Sequence, residues 1–361
     1  MSKTSKNETA APPGLVDLAA ERVGGAVLMA NDEFFAPKEN LIKPGRGVFI
    51  PDKFTDRGKW MDGWETRRRR TPGYDWCVVK LGLSGILRKV DIDTNHFLGN
   101  HPPQASLDAV CLEKNSLLDP ASAEKAPWVN VIPQSPLNPG SQNLFEVTDL
   151  RRWTHVLLNI FPDGGVARLR LYGTVVPDWT RFPSDAPVDL AAIENGGVAL
   201  SCSDMFFSSM NNLIMPGTPV NMGDGWETKR RRGPGYDWII IQLGAAGTVA
   251  KVEVDTTHFK GNYPDMCSLE ACSLGAPANP TALESQTGAQ TGPAKSRTGP
   301  EITDPRVEWK QLLPRTKLAA HTRHFFEKEL AEIGPVSHVR LNIYPDGGVG
   351  RLRVWGKRAS A

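Results

Sequence analysis

The chain has 361 residues, a length that suits two domains of about 150–180 residues each. With 42 Lys and Arg against 40 Asp and Glu the formal net charge is +2, which disfavours nucleic-acid binding, and no apolar run reaches the roughly 18 residues of a membrane-spanning helix. Five cysteines, an odd number without a Cys-x-x-Cys pair, favour a reduced chain and predict a cytoplasmic location.

Composition along the chain predicts two domains with a tail and a linker. Residues 1–15 are polar, lack the apolar core of a secretory signal and are expected to form a disordered tail. The first domain is placed at 16–173 and the second at 189–357, with a linker rich in Pro and Asp at 174–188. Residues 277–299 consist mainly of Ala, Thr, Gly, Pro and Ser, which bury too little apolar area to order themselves, so a flexible insert is predicted there.

The two predicted domains are copies of one another. The segment Asp62–Arg70, Asp-Gly-Trp-Glu-Thr-Arg-Arg-Arg-Arg, returns 162 residues later as Asp224–Arg232, and this offset holds without a gap as far as Val110. Near the end of each copy, Asn159–Gly165 returns as Asn342–Gly348. A period this long exceeds the roughly 20–50 residues of solenoid repeats, so a whole domain has been duplicated and fused.

Short strands dominate the predicted secondary structure. Trp76–Leu81 is β-branched and apolar, as buried strands are, whereas Lys89–Asp93 alternates between an apolar and an acidic face. A hairpin is predicted from His155 to Tyr172, with its turn at the Pro-Asp-Gly of residues 162–164. With 34 Gly, 29 Pro and few helical segments, the chain is predicted to be all-β, each domain an antiparallel β-sandwich.

Four consecutive arginines, Arg67 to Arg70, follow Glu65 and Thr66 and form part of the first candidate site. Side chains alternate between faces in an extended chain, so Arg67 and Arg69 share one side and a continuous basic surface for nucleic acid is disfavoured. A guanidinium fork binds a carboxylate bidentately, which predicts that these two arginines hold a small carboxylate. The alternative is ion pairing with Asp62, Glu65, Asp91 and Asp93. The preceding tryptophan raises the pKa of Glu65 by desolvation and the arginines lower it, so the sequence leaves the direction open.

The second candidate site follows the alternating strand. A histidine stands at the same place in both copies, His96 and His258, three residues after an aspartate, Asp93 and Asp255. Each histidine is a candidate general acid or base, and a structural histidine bonded to a loop carbonyl is the equal alternative. This spacing at a strand end is no recognised zinc pattern and no cofactor motif is evident, but a divalent metal ion stays open.

Together these motifs closely resemble the allantoicase family. The resemblance covers Val16 to Lys357, both copies, and is carried by Asn31-Asp32, Phe34-Phe35-Ala36, Asn40-Leu41-Ile42, Gly58 to Arg70, Gly73 to Trp76 and Asp93 to Asn100. It implies two tandem, jelly-roll-like antiparallel β-sandwich domains. It also implies hydrolysis of allantoate to ureidoglycolate and urea in purine catabolism, with allantoate as the small-molecule partner, and leaves a homo-oligomer open.

The site residues are assigned by chemistry rather than by the resemblance. Cleaving a C–N bond of allantoate needs an acid to protonate the departing urea and a base to guide water, and the carboxylate needs a cation. The expected catalytic set is Glu65, His96 and Asp93, with Glu227, His258 and Asp255 in the second copy. The expected substrate-binding set is Arg67, Arg69, Trp60, Lys59 and Asn100, with Lys229, Arg231 and Asn262 in the second copy.

Two other classes of function compete with hydrolysis. The first is a jelly-roll module that binds a small carboxylate or a carbohydrate without catalysis, with Trp60, Trp64 and Trp76 as stacking surfaces. The second is a scaffold whose duplicated charges are only internal ion pairs. If the protein is an enzyme, the first copy is expected to matter more, because Gly58 to Met61 has no counterpart in the second copy.

Overall fold

The computed structural model describes residue 12 and residues 14–112, 120–183, 185–274 and 307–359. The chain divides into two compact units, Met1–Val176 and Pro177–Ala361, so the division falls inside the stretch predicted as a linker. The predicted insert at 277–299 and most of the predicted tail lie outside the described residues. No helix in the described part of the chain is long and apolar enough to cross a membrane.

The first unit is built mainly from strands. These are β1 (Val16–Asp17), β2 (Ala26–Ala30), β3 (Phe54–Thr55), β4 (Gly58–Lys59), β5 (Trp64–Glu65), β6 (Asp75–Asp93), β7 (Gln104–Val110), β8 (Val129–Pro136), β9 (Gln142–Glu146), β10 (Trp153–Phe161), β11 (Gly165–Val166) and β12 (Arg168–Val175). The helices described in this unit are the 3₁₀ helices Glu21–Val23 and Lys38–Ile42 and the short α-helix α1 (Pro120–Lys125).

Strand β6 organises the first unit. It is 19 residues long, and the two segments predicted as separate strands, Trp76–Leu81 and Lys89–Asp93, are its two ends. The first end pairs with β2 and β10, and the second with β9 and β12. Between them lie Gly82 and Gly85, where a Cβ would come within 2.4 Å and 2.3 Å of neighbouring backbone oxygens. Glycine is required there because no side chain fits so close an approach of backbones.

The strand order of this sheet corrects one local prediction. The eight strands pair antiparallel in the order β1-β12-β6-β10-β7-β8, with β2 and β9 also on β6. The hairpin predicted from His155 to Tyr172 is wrong, because β10 and β12 both pair with β6 and not with each other. After the Pro-Asp-Gly turn the chain enters β11, which pairs with β5. The prediction of an all-β, antiparallel architecture is confirmed.

The second unit repeats this arrangement. Its strands are β13 (Val188–Asp189), β14 (Val198–Cys202), β15 (Trp226–Glu227), β16 (Asp237–Asp255), β17 (Met266–Cys272), β18 (Lys310–Lys317), β19 (Arg323–Phe326), β20 (Val336–Tyr344), β21 (Gly348–Val349) and β22 (Arg351–Arg358). Its 3₁₀ helices are Trp179–Arg181, Ile193–Asn195, Met210–Ile214 and Met222–Asp224. The sheet order is β13-β22-β16-β20-β17-β18, with β14 and β19 also on β16.

Large buried aromatic side chains hold the candidate sites in each unit. Trp64 and its copy Trp226 are fully buried, as are Phe97 and its copy Phe259. In each copy the tryptophan directly precedes the candidate glutamate, and the phenylalanine directly follows the candidate histidine. Packing of the core therefore fixes the two backbone segments on which the candidate acid–base residues lie.

Candidate active site

Glu65 is held by the short pair of strands β5 and β11. Its partner in β11 is Gly165. A Cβ at this position would lie 2.0 Å from the ring of Phe97, so only glycine fits there. The preceding Trp64 points into the core and donates from Nε1 to the backbone oxygen of Asp32 at 2.8 Å. Because side chains alternate along a strand, the buried tryptophan directs the half-buried Glu65 toward the opposite side.

Asn100 orients the carboxyl group of Glu65. Its Nδ2 donates a hydrogen bond to Glu65 Oε1 at 2.6 Å, and its backbone oxygen accepts from Gly165 N at 2.8 Å. Burial raises the pKa of the Glu65 carboxyl above its usual value, and the hydrogen bond from Asn100 opposes that rise. Desolvation therefore outweighs any pull from the arginines that follow, which settles the direction that the sequence left open.

A pocket of about 350 Å³ opens beside Glu65. This volume lies within the range of small-molecule sites, about 300–1,000 Å³. Four of the residues predicted for the site line it, and they are Lys59, Glu65, His96 and Asn100. The other lining residues, which are mostly apolar, are Phe35, Phe49, Met61, Leu98 and Gly99. One carboxyl, one ammonium, one imidazole and one amide therefore face a common space with apolar walls.

His96 is presented to this pocket by a strained turn. Its φ angle is 69°, in the left-handed region that residues other than glycine rarely adopt, and its side chain is exposed. Its ring stacks on Phe49, with centroids 5.5 Å apart and planes at 28°. Among the described residues, no hydrogen bond to the imidazole ring is present, so both ring nitrogens are free to act on a ligand. Strain of this kind clusters at functional sites.

Asp93 does not reach His96. It is buried and receives hydrogen bonds from Arg46 Nε at 2.8 Å and Nη2 at 2.9 Å. It also accepts from the backbone N–H of Asn95 at 2.9 Å, so its carboxylate stabilises the turn that carries the histidine. The structure therefore does not bring Asp93 into the pocket with the other proposed catalytic residues, because its oxygens are already bonded to these partners.

Arg67 and Arg69 also lie away from the pocket lining. Arg67 Nε donates to Asp32 Oδ2 at 2.7 Å, and the arginine side chain is 64% exposed. Arg69 Nη1 donates to the buried Asp75 at 2.6 Å, and its backbone N–H donates to Asp163 at 2.9 Å. Both guanidinium groups thus form ion pairs within the unit, as in the alternative left open by the sequence. Their partners are Asp32 and Asp75, however, and none of the acidic residues named for that alternative.

The tryptophans considered as stacking surfaces do not line the pocket. Trp64 is fully buried, and Trp60 is covered by Lys53, whose Nζ lies 3.7 Å from the ring centroid. Trp76 is half-buried in β6, where its backbone N–H donates to Asn31. The aromatic walls are instead Phe35 and Phe49, which the sequence reasoning did not select. Duplication of the Phe-Phe motif could have identified Phe35, but Phe49 lies where the copies differ in length.

The second unit repeats the glutamate–amide pair with different surroundings. Asn262 Nδ2 donates to Glu227 Oε1, and Met222 Sδ lies 3.9 Å from the same nitrogen. His258 has a φ angle of 74°, and its side chain is hydrogen-bonded within the unit, with Nε2 2.9 Å from the backbone oxygen of Pro219. Its backbone N–H also donates to Nδ1 of His321 at 2.8 Å. The histidine of this copy is therefore held by the protein itself.

The remaining candidates of the second unit have partners within it. Lys229 Nζ lies 3.5 Å from Asp204, and Arg231 forms an ion pair with the buried Asp237. Asp255 is buried and accepts from the backbone N–H of Thr257 at 2.8 Å. Among the described residues, no three His, Cys, Asp or Glu side chains are grouped so that they could hold a metal ion.

Comparison with known proteins gives one consistent result. The family model described as the allantoicase repeat matches residues 16–176 and again residues 188–359. A probable allantoicase of Burkholderia mallei is 48% identical over 341 residues, covering 94% of each chain. A probable allantoicase of Pseudomonas aeruginosa is 47% identical, covering 94% of this chain and 95% of its own. The crystal structure of allantoicase from Saccharomyces cerevisiae matches with a TM-score of 0.73 and 36% identity, over 95% of this chain and 93% of that chain.

Proposed function

The chain belongs to the allantoicase family, whose reaction is the hydrolysis of allantoate to ureidoglycolate and urea, and we propose that it carries out this reaction in the pocket beside Glu65. The protein is thus a hydrolase of purine degradation that acts on a small molecule. The observation that supports this place for the reaction is the convergence of Glu65, His96, Lys59 and Asn100 on one pocket.

The reaction breaks a bond between the central carbon of allantoate and one ureido nitrogen. That nitrogen must gain a proton, since urea leaves as a neutral molecule, and the central carbon must gain a hydroxyl group from water. The second ureido nitrogen can push its lone pair toward the same carbon, forming a C=N bond as urea departs. An acid on one side and a base for water on the other are therefore sufficient.

Glu65 suits the acid role in this scheme. Burial raises its pKa, so its protonated form persists to higher pH than that of an exposed glutamate. In the first step its proton passes to the departing ureido nitrogen, which keeps the electron pair of the broken C–N bond. Asn100 holds the carboxyl in place through the bond at 2.6 Å, which leaves the other oxygen available to substrate.

His96 suits the role of base for water. Its ring lines the same pocket, stacks on Phe49 and has no hydrogen-bond partner among the described residues. In the second step water adds to the central carbon, the C=N electrons return to nitrogen, and the imidazole takes the proton of water. Transfer of that proton back to Glu65 restores both groups. Asp93 supports the turn of His96 and is a positioning residue.

Urea release tests the proposal. Purified protein with allantoate should release one urea per substrate consumed, and this release should depend on Glu65. The assay is run without added metal and with Mn²⁺, Zn²⁺ or Ni²⁺, because the metal requirement is open. No urea above the uncatalysed rate in any of these conditions would falsify the enzymatic proposal and favour the non-catalytic binding module.

We also propose that the protein works in the cytoplasm as a homo-oligomer. The cysteines are unpaired, and burial raises the pKa of Cys202 and Cys267 to about 12, as suits thiols that stay reduced. Phe206 and Val220 on the second unit are apolar and exposed, at 64% and 75%, and contact with a second subunit would cover such side chains. Cell fractionation and light scattering on the purified protein test the two statements.

A further inference from the structure

Lys59 belongs to a hairpin that only the first repeat contains. The first repeat has ten more residues than the second between Ile42 and Asp62, and β3 and β4 form a two-stranded hairpin within this stretch. Lys59 lies at the end of β4 and lines the pocket that contains Glu65. The hairpin thus adds a positive charge to a pocket that would otherwise have none on its walls.

The ammonium group of Lys59 has no acidic partner. Its Nζ lies 4.7 Å from the ring centroid of Phe49 and 5.9 Å from that of Phe54, and no carboxylate lies within ion-pair distance among the described residues. Four arginines near the site are paired with carboxylates: Arg46 with Asp93, Arg67 with Asp32, Arg69 with Asp75 and Arg168 with Asp62. Arg57, in the same insertion as Lys59, donates to the backbone oxygen of Phe34 and does not line the pocket. The unpaired cation on the pocket wall is therefore the one whose charge is available to an anionic ligand.

Phe49 is in contact with both this cation and His96. One ring contacts both Lys59 and His96, so the two side chains flank the same aromatic wall. Lys59 is exposed and its ammonium group lies against the Phe49 ring, so its charge attracts a carboxylate that enters the pocket. The other charged group on the lining is Glu65, which would repel a carboxylate in its ionised form. A bound carboxylate is therefore directed to the Lys59 side.

We infer that Lys59 binds the carboxylate of the substrate and makes the pocket selective for ureido acids over uncharged ureido compounds. The inference rests on the proposed function of this pocket, and it assigns the recognition of carboxylate to the hairpin instead of to Arg67 and Arg69. Lys59 touches substrate but takes no part in moving protons. Its removal should therefore weaken binding and leave the chemistry of bound substrate largely intact.

Two small ligands isolate this role from catalysis. Ureidoacetate carries one ureido group and a carboxylate, and ureidoacetamide is its uncharged amide. Calorimetric titration of the wild-type protein should show ureidoacetate binding about ten- to a hundredfold more tightly, the range expected for a charge-assisted hydrogen bond. Lys59→Met keeps the length of the side chain and removes its charge, and it should bring the two ligands to within about threefold of each other.

Three further variants make this test specific. Lys59→Arg retains the charge and should keep most of the preference for ureidoacetate. Lys53→Met is the matched control, because Lys53 lies in the same insertion but contacts Trp60 and does not line the pocket, so the preference should be unchanged. Glu65→Gln should also keep the preference, and it separates this inference from the proposed function, which predicts loss of urea release in that variant.

Kinetics with allantoate give the second readout. Lys59→Met should raise KM at least about tenfold while kcat changes by less than about threefold, the signature of a lost binding contact. The inference is overturned if Lys59→Met keeps the preference for ureidoacetate, if Lys53→Met loses it, or if the wild-type protein shows no preference. If any of these results is found while urea release is normal and depends on Glu65, the inference about Lys59 is wrong and the proposed function stands.

Discussion

The turn that carries the candidate histidine is built in two ways in the two repeats. In the first, Asn95 Nδ2 donates to the backbone oxygen of Gly47 at 3.0 Å. In the second, Thr257 stands in place of Asn95, and the matching oxygen, on Pro219, is bonded by His258 Nε2 at 2.9 Å. The threonine side chain is shorter than that of asparagine, and in the second repeat the histidine ring bonds to this backbone oxygen in its place.

This difference shows how a duplicated domain can keep a motif and change its use. Both repeats retain a glutamate bonded to an amide and a histidine in the left-handed conformation. In the first repeat the asparagine satisfies the loop carbonyl, so His96 is left free at the pocket; in the second the histidine satisfies it and becomes structural. The structural alternative for these histidines therefore describes His258, and the acid–base role of His96 stays a prediction.

The largest effect is expected from removing the carboxyl group of Glu65. Glu65→Gln keeps the shape and can still accept from Asn100, but it has no acidic proton, so kcat should fall at least about a hundredfold. Glu227→Gln should cost less than about tenfold, because the second repeat lacks the hairpin and its histidine is held by Pro219. The measurement is urea release at saturating allantoate, with circular dichroism as the control for folding.

Equal losses in these two variants would mean two similar sites or one shared site. A larger loss in Glu227→Gln would place the chemistry in the second repeat.

The thermal stability of Glu65→Gln at neutral pH should match or exceed that of the wild type, since the raised pKa means that the folded state disfavours the ionised carboxyl.

Copying the second repeat's turn into the first should give the next largest effect. Asn95→Thr removes the side chain that bonds to Gly47 O, so His96 should turn to that oxygen as His258 does in its repeat. Displacing the base should lower kcat/KM about tenfold. Steady-state kinetics measure this, with Thr257→Asn as the matched variant, which should change kcat/KM by less than about twofold. An unchanged rate in Asn95→Thr would contradict the role given to His96.

A small effect is expected at Arg67. Lysine already occupies the matching position of the second repeat, as Lys229, and there it approaches Asp204 as Arg67 approaches Asp32. Arg67→Lys should therefore keep the exposed ion pair, which contributes at most about 1 kcal/mol, and change kcat/KM by less than about threefold. A loss of tenfold or more in kcat/KM would return this arginine to the substrate carboxylate.

The smallest effect on activity, and a measurable one on stability, is expected at Asp91. Burial, with Asp93 nearby, raises the pKa of Asp91 to about 6. From the neighbouring strand β9, Gln142 donates an uncharged amide hydrogen bond to Asp91 at 2.6 Å. In the second repeat the corresponding Glu253 has an arginine, Arg323, as its partner. Ionised Asp91 therefore destabilises the fold as pH rises through about 6.

The expected sign of the Asp91 effect follows from this pKa. Asp91→Asn should raise Tm by on the order of 5 °C at pH 8, and the gain should shrink below about pH 6 and vanish near the unfolded value of 3.8. Glu253→Gln should instead lower Tm at pH 8, because Arg323 loses its partner. Calorimetry from pH 4 to about 8 measures both variants. A fall in Tm of Asp91→Asn at pH 8 would contradict the account.

Most of the candidate residues that line the pocket were predicted from the duplication. Glu65, His96 and Asn100 recur in the second copy, and Lys59 was selected because its segment does not. These four residues line one pocket, because the buried Trp64 and Phe97 fix the backbone beside them. Buried positions of this kind can be predicted from the local sequence. The predicted sandwich likewise followed from strand patterns that are local.

Partner choice between distant segments could not be predicted. Arg67 and Arg69 were assigned to the substrate because a guanidinium fork fits a carboxylate, but any buried or nearby aspartate fits it equally well. Their partners, Asp32 and Asp75, are brought to them by the sheet. The same holds for Phe49, whose contact with His96 depends on the path of an insertion that has no copy to compare.

A crystal structure of the Glu65→Gln variant with allantoate bound would show whether the substrate occupies the pocket beside residue 65. Allantoate should lie in the pocket of the first repeat, with a ureido nitrogen beside the side chain at position 65, the central carbon facing His96 and the carboxylate at Lys59 Nζ. Allantoate bound at Glu227 and Asn262 with the first pocket empty would contradict this placement, as would a carboxylate held between Arg67 and Arg69.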